Sequence, residues 1–300
     1  MSSQVHTRAR GGLLSALRPR QWLKNALVAA APLAGGEIFQ WAVAGRVLVL
    51  FVLLCAVSAA GYVLNDVRDI EYDRAHPDKR HRAIASGAIS PTTALGFAAL
   101  LVASALFCAQ AMFGVAVTAL LAAYIVTTAS YSLWLKSVPG VEMVVLSAGF
   151  LLRAVIGGSG TGTVVSGWFL VVICASALLV VSGKRSSELS REVESPTSTH
   201  ARSALNSYSP SYLRSVTVMS ALVAVAGYAT WVLLVGAHRN ESLLVTCSLA
   251  PLALAYLRYA RIIRHAGAEA PEVVLLRDRT MVVCGVTWAV LFAAAVVMSP

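Results

Sequence analysis

The sequence predicts an all-α, polytopic membrane bundle of about nine transmembrane helices, and three observations carry that prediction. The 300 residues are 58% hydrophobic and only 13% charged. Their mean hydropathy is +0.73. Apolar runs of about 20 residues, the length that crosses a hydrocarbon core of about 30 Å, recur along the whole chain. A soluble domain of this size would need far more charge to cover its outside.

Taken in order, the apolar runs place spans at 23–40, 46–65, 92–111, 114–134, 141–158, 165–183, 212–235, 242–260 and 280–299. Lys24, Asn25 and Pro32 interrupt the first. Proline is tolerated in a membrane helix where neighbours satisfy the freed carbonyl. Arg8, Arg10, Arg18 and Arg20 are followed by no short apolar core with a small-residue cleavage site, so no removable signal peptide is expected. Cys55, Cys108, Cys174, Cys247 and Cys284 each sit inside an apolar run. None forms a CxxC pair, and they read as packing residues.

Orientation follows from the basic residues. With the N-terminus in the cytoplasm, every Lys and Arg except Arg46, Arg153 and Arg239 falls in a cytoplasmic segment or at its edge. That asymmetry is the positive-inside rule. It also explains the net charge of +10 without a nucleic-acid partner, and none is expected. The organisation expected is one transmembrane domain over 1–300, with 1–22 as a cytoplasmic segment and 66–91 and 184–211 as cytoplasmic loops.

Those loops carry the chemistry. Residues 65–82 read NDVRDIEYDRAHPDKRHR, a dense block of charge in an apolar chain. On a helix, Asp66, Asp69 and Asp73 stand at i, i+3 and i+7, and Asn65 and Asp69 at i, i+4, along one face. Like charges on one stripe repel unless a cation lies between them. Carboxylate and amide oxygens suit Mg2+, which commonly bridges to substrate phosphates. The alternative for each acid is a solvated helix end paired with neighbouring cations such as Arg68, Arg74 and Lys79.

Lys79, Arg80 and Arg82 follow at once and are candidates for phosphate binding, as are Lys24 with its neighbour Asn25. Arg153 lies deep in an apolar run, where an unpaired cation is expensive, so an acid or an anionic ligand is expected to face it. Glu142 opens the same span and is expected to line the same cavity. Lys136, Lys184 and Arg185 complete a ring of cations. His6, His76, His81, His200, His238 and His265 show no metal-binding spacing, and SGKRSS lacks the glycine spacing of a P-loop.

The motif at Asn65, Asp66, Asp69 and Asp73, the span count and the acidic position at Glu142 resemble the UbiA superfamily of intramembrane prenyltransferases. The resemblance implies an all-helical bundle that binds a diphosphate through Mg2+ and admits a lipid chain from the side. A typical member carries a second DxxxD motif. Here Glu142 stands alone, with Leu146 where the second acid is expected. The stretches LRPRQWLKN, AGFLLRAVIGG, SGKRSSEL and PEVVLLRDRTM, together with the acidic block, resemble the decaprenyl-phosphate phosphoribosyltransferase branch.

That resemblance implies transfer of 5-phosphoribosyl from phosphoribosyl pyrophosphate to a polyprenyl monophosphate, for cell-wall arabinan, at the inner face of the plasma membrane. Asp66, Asp69 and Asp73 would then be the catalytic acids. A lipid monophosphate already carries its nucleophile, which fits the missing second metal motif. Two alternatives stand beside this reading: prenyl transfer from a polyprenyl diphosphate to an aromatic acceptor, and transport. Partners expected are the two substrates and the bilayer. A homo-oligomer is left open.

Overall fold

The structure, a computed structural model, describes residues 12–77, 79–194, 207–235, 243–265 and 277–298. In chain order its helices are α1 (Leu13–Ala16), α2 (Ala30–Ala34), α3 (Trp41–Arg68), α4 (Ile70–Ala75), α5 (Pro91–Phe113), α6 (Val115–Leu133), α7 (Val141–Thr161), α8 (Gly167–Glu194), α9 (Pro210–Val235), α10 (Leu243–His265) and α11 (Arg279–Met298). Eight of them are long and apolar enough to cross a membrane: α3, α5 to α10, and α11. Residues 1–11 of the expected N-terminal segment, 195–206 of the expected second loop, and His6, His200 and His238 lie outside the described residues.

The first expected span, 23–40, is not one α-helix. Pro19–Ala29 forms a 3-10 helix that runs directly into α2. A 3-10 helix rises about 2.0 Å per residue and an α-helix about 1.5 Å, so the pair still extends about 30 Å. The reason for the departure lies in what the segment packs against. A Cβ added to Gly157 of α7 would overlap the main-chain carbonyl of Val28, and one added to Gly158 would lie 3.4 Å from Ala31. Main chain meets main chain along this groove, and the slimmer coil fits it.

The remaining elements follow their local signals. Ser90 caps α5 by accepting a hydrogen bond from the Thr93 amide (3.1 Å), with Pro91 in the first turn. Gly114 (φ +78°) is the whole connection between α5 and α6, and its left-handed backbone allows the reversal. At 28 residues, α8 is about 42 Å long. It therefore outruns a hydrocarbon core of about 30 Å, and its last turns project beyond. Residues 184–194, expected as loop, are the end of this helix.

The segment 66–91 is likewise folded rather than open. Ala83, Ile84 and Ala85 are buried, and Ala83 and Ile84 pack with Ala60, Val63, Ala94 and Ala98. The Arg74 Nε donates to the Ala85 carbonyl at 3.0 Å. This apolar tripeptide pins the connector under the ends of α3 and α5 and so places Arg82 beside the acids.

The main core joins α3, α5, α6 and α7 through Leu50, Leu54 and Val57, Ala105 and Ala109, Leu121 and Tyr124, and Ile156. A second cluster closes the bundle: Phe292 and Ala295 of α11 pack with Tyr228, Val232 and Val245, and Leu33 and Ala34 of α2 lie against them. Large apolar side chains such as Trp41, Phe107 and Val164 point outward, as a lipid-facing surface requires.

Gly157→Val should destabilise the fold by at least about 3 kcal/mol, because backbone cannot yield as a side-chain tip does. Gly285→Ala, where an added Cβ meets nothing within 4 Å, should leave stability unchanged or slightly raised. Thermal unfolding of the two variants in detergent checks the pair.

Candidate active site

The acidic row sits at one end of the bundle, where α3 passes into α4. Asp69 (φ −98°, ψ 14°) interrupts the helix between them. The three aspartates therefore do not share one straight helical face, although the Asp69 and Asp73 amides still donate to Asn65 (3.0 Å) and Asp69 (2.8 Å) carbonyls. The bend separates their partners. Asp66 accepts from Arg18 and from Arg82 Nη1 (3.2 Å), and Asp73 accepts from Arg82 Nη1 at 2.6 Å. Asp69 pairs with Lys136.

Cations thus stand between the acids, which answers the like-charge repulsion expected of them. Among the described residues, no three His, Cys, Asp or Glu side chains are close enough to share one metal ion. One atom is left over. Asp73 is 1% exposed, and its Oδ1 is buried without a hydrogen-bond partner. A buried carboxylate oxygen left this way costs free energy, and a hard divalent cation is what such an oxygen best accepts. The oxygens of Asp66, Asp69, Asp73 and Asn65 are of the donor type that Mg2+ takes, but with Arg18, Arg82 and Lys136 on them the three carboxylates do not converge on one point.

Beside the acids opens a cavity of about 330 Å3. Three helices each line it with one stripe at helical spacing: Ser58, Gly61, Tyr62 and Asn65 from α3, Tyr124, Thr127, Thr128 and Tyr131 from α6, and Val145, Gly149 and Arg153 from α7. Arg18, Lys24, Arg153 and Lys184 bring four cations to its walls, and no acid among the described residues lines it. A cavity so charged takes an anion. Lys24 donates to Gln21 at 2.7 Å, and Lys184 lies 4.0 Å from Glu188.

Arg153, buried to 7% exposure, is held among the described residues by neutral groups alone. Its Nε donates to Asn25 Oδ1 (2.8 Å), Nη1 to the Gly149 carbonyl (2.8 Å) and Nη2 to Tyr124 Oη (2.6 Å). Its guanidinium also stacks over the Tyr124 ring at 4.7 Å. Ser58 bridges Asn25 (3.2 Å) and Tyr124 (2.9 Å), closing the network. Asn25 is fully buried and does not line the cavity; it reaches the site through Arg153.

Arg185 has the opposite surroundings. It is 2% exposed, its Nε donates to Glu142 Oε1 at 2.6 Å, its Nη2 pairs with Glu142 Oε2, and its Nη1 pairs with Glu188. Tyr208, at the foot of α9, accepts from the Gly140 amide (2.6 Å) and donates to Glu142 Oε1 (3.4 Å). Burial first, with the Glu142 charge adding to it, raises the Tyr208 phenol above its ordinary range. Glu142 and Arg185 therefore serve each other as an internal ion pair, and neither lines the cavity with Arg153.

Of the other expected cations, Arg82 and Lys136 face acids, Lys79 lies 4.6 Å over the Tyr72 ring, and Arg80 is exposed beside His81. The structure brings Lys24, Asn65, Arg153 and Lys184 to the cavity wall. It adds Arg18, Tyr62, Tyr124 and Tyr131, which the sequence reading passed over. Tyr124 to Ser132 repeats hydroxyls at helical spacing inside an apolar run, and that stripe was the available signal.

An all-helical membrane bundle with an acid-rich mouth above a cationic cavity defines a class of enzyme that handles phosphorylated lipids. The comparisons agree: residues 25–278 match the UbiA prenyltransferase family, and the chain belongs to it. The chain is 37% identical to the decaprenyl-phosphate phosphoribosyltransferase of Corynebacterium glutamicum, over 96% of this chain and 88% of that one. It is 36% identical to the enzyme of the same name from Mycolicibacterium smegmatis, over 96% and 93%. The UbiA homologue of Archaeoglobus fulgidus, solved bound to DMAPP and Mg2+, superposes with a TM-score of 0.72 at 16% identity, covering 95% of this chain and 99% of that one.

Arg185→Gln should destabilise the protein by about 3–5 kcal/mol, because Glu142 would be left buried and unpaired. The double substitution Arg185→Met with Glu142→Met should recover most of that loss. Unfolding of both in detergent measures the difference.

Proposed function

We propose that the protein transfers 5-phosphoribosyl from phosphoribosyl pyrophosphate to a polyprenyl monophosphate and releases pyrophosphate. The observation that carries this reading is the cavity wall: among the described residues, four cations and no acid, opening beside a separate cluster of carboxylates. A donor with phosphate at both ends and a lipid phosphate acceptor need that much positive charge. Near-full-length similarity to enzymes named decaprenyl-phosphate phosphoribosyltransferase supports the same chemistry. The decaprenyl chain is the acceptor those names point to.

In this reading Asp66, Asp69 and Asp73, with the Asn65 amide, hold Mg2+, which when bound supplies Lewis-acid stabilisation of the departing pyrophosphate. Arg18, Arg82 and Lys136 already lie on those carboxylates. These cations would be near enough to turn to the oxygens of a pyrophosphate bound there, where Arg offers a bidentate fork. A lipid phosphate oxygen attacks C1 of the ribose, the bond from C1 to the pyrophosphate oxygen breaks, and the electron pair leaves with pyrophosphate. No protein nucleophile is required. Electrostatic stabilisation of the leaving group is the main contribution of the chain.

The lone Glu142 fits this chemistry. Its charge is spent on Arg185, so the reaction has one acidic cluster, and a nucleophile already carried by the lipid needs no second. The enzyme is proposed to sit in the plasma membrane with the acidic mouth in the cytoplasm, in keeping with the basic residues gathered at that end. Its product would be a precursor for cell-wall arabinan.

Protein in liposomes, given labelled phosphoribosyl pyrophosphate, a polyprenyl phosphate and Mg2+, should move label into the lipid extract, and chelation should stop it. Asp69→Ala should lower the rate on the order of 100-fold. Label that stays in water while a prenyl diphosphate reacts with an aromatic acceptor would establish the prenyltransferase alternative. Near-normal magnesium-dependent turnover by Asp69→Ala would refute the metal assignment.

A further inference from the structure

We propose that Arg153 holds the 5-phosphate of the phosphoribosyl donor at the floor of the cavity. It thereby fixes the direction in which the donor enters and selects it over ribosyl diphosphates that lack that phosphate. The inference rests on the phosphoribosyl-transfer reading and assigns one of its phosphates.

Depth is the first argument. Along α3, Ser58 lies seven residues from Asn65; along α6, Tyr124 lies seven from Tyr131. Each interval is about 10 Å at 1.5 Å per residue, and Arg153 lies about 12 Å beyond Val145 on α7. All three helices thus put the Ser58, Tyr124 and Arg153 level about 10 Å below the level of Asn65, where the acids begin. The acids grip one end of a ligand at the mouth, and Arg153 waits for charge at the other.

The second argument is the unfinished coordination of Arg153. Three of its five N–H groups are taken by Asn25, Gly149 and Tyr124, all neutral acceptors. No carboxylate among the described residues pairs with it, whereas Arg185 in the same bundle has two. A guanidinium at this depth is costly without a counter-charge, and a bound phosphate completes it. Asn25 and Tyr124 are positioning residues that aim the fork into the cavity.

The two substrates differ in where their phosphates can rest. A lipid phosphate is tied to its apolar chain and rests at the membrane interface, the level of the mouth. The donor is soluble, and it carries pyrophosphate on C1 and monophosphate on C5, at opposite ends of the sugar. With pyrophosphate at the acids, the monophosphate reaches the floor and C1 stays level with the incoming lipid phosphate.

The test measures KM separately for phosphoribosyl pyrophosphate and polyprenyl phosphate in liposomes. Arg153→Gln should raise the donor KM about tenfold or more and leave the lipid KM unchanged. Tyr124→Phe should raise the donor KM by less, again without moving the lipid KM, and it carries the comparison if Arg153→Gln fails to fold. Ribose 5-phosphate should compete with the donor in the parent protein and lose about tenfold in potency in Arg153→Gln. A KM rise on the lipid phosphate, or undiminished inhibition by ribose 5-phosphate, overturns the proposal. A parent protein that labels no lipid from the donor would instead sink the transfer reading itself.

Discussion

A charge surrounded by a lipid-embedded bundle must be matched, either by an opposite charge or by a cage of dipoles, and the interior of this protein is organised by that constraint. Arg185 shows the first solution, with Glu142 and Glu188 on three of its nitrogens. Arg153 shows the second, with an amide, a carbonyl and a phenol. The two arginines sit on adjacent helices of one bundle and have opposite uses. A cation buried like Arg185, with carboxylates on all three nitrogens, is closed to an anion, and one held by dipoles remains open to it.

The acidic end obeys the same rule in reverse. Asp66 and Asp73 share Arg82, and the bend at Asp69 turns its carboxylate to Lys136. Each acid has a cation within reach, so the row is stable as it stands, yet the orphaned Asp73 oxygen keeps a place for one more positive charge. Cations that lie on carboxylates here are also those a phosphate would attract. The mouth is therefore able to exchange partners, and the floor is built to keep its own.

Supporting this is packing of an ordinary kind. The glycine groove of α7 brings the Pro19–Ala29 segment so close that Asn25 reaches Arg153 from the side. Ile84 anchors the connector that delivers Arg82. Neither Asn25 nor Ile84 touches the cavity; the first sets where Arg153 stands and the second where Arg82 meets the acids.

Much of this was legible in the chain itself. The helical membrane class, the places of eight of the nine expected spans and the acidic motif follow from composition and local spacing, because the bilayer imposes one length and one polarity on every crossing segment. At Asp69 a helix that reads as continuous bends. Every cation near the motif also reads as equally open to phosphate, so Arg185 and Glu142 were counted as ligand groups. Pairing across 43 residues cannot be read from the positions of either partner. Arg18 and Tyr124 were missed for the same reason. The sequence alone determined what kind of environment each residue must satisfy, since transfer from water to lipid is a property of the residue. Which cations are neutralised and which stay open was decided only by the tertiary structure, because that depends on which side chains distant segments bring within hydrogen-bonding reach.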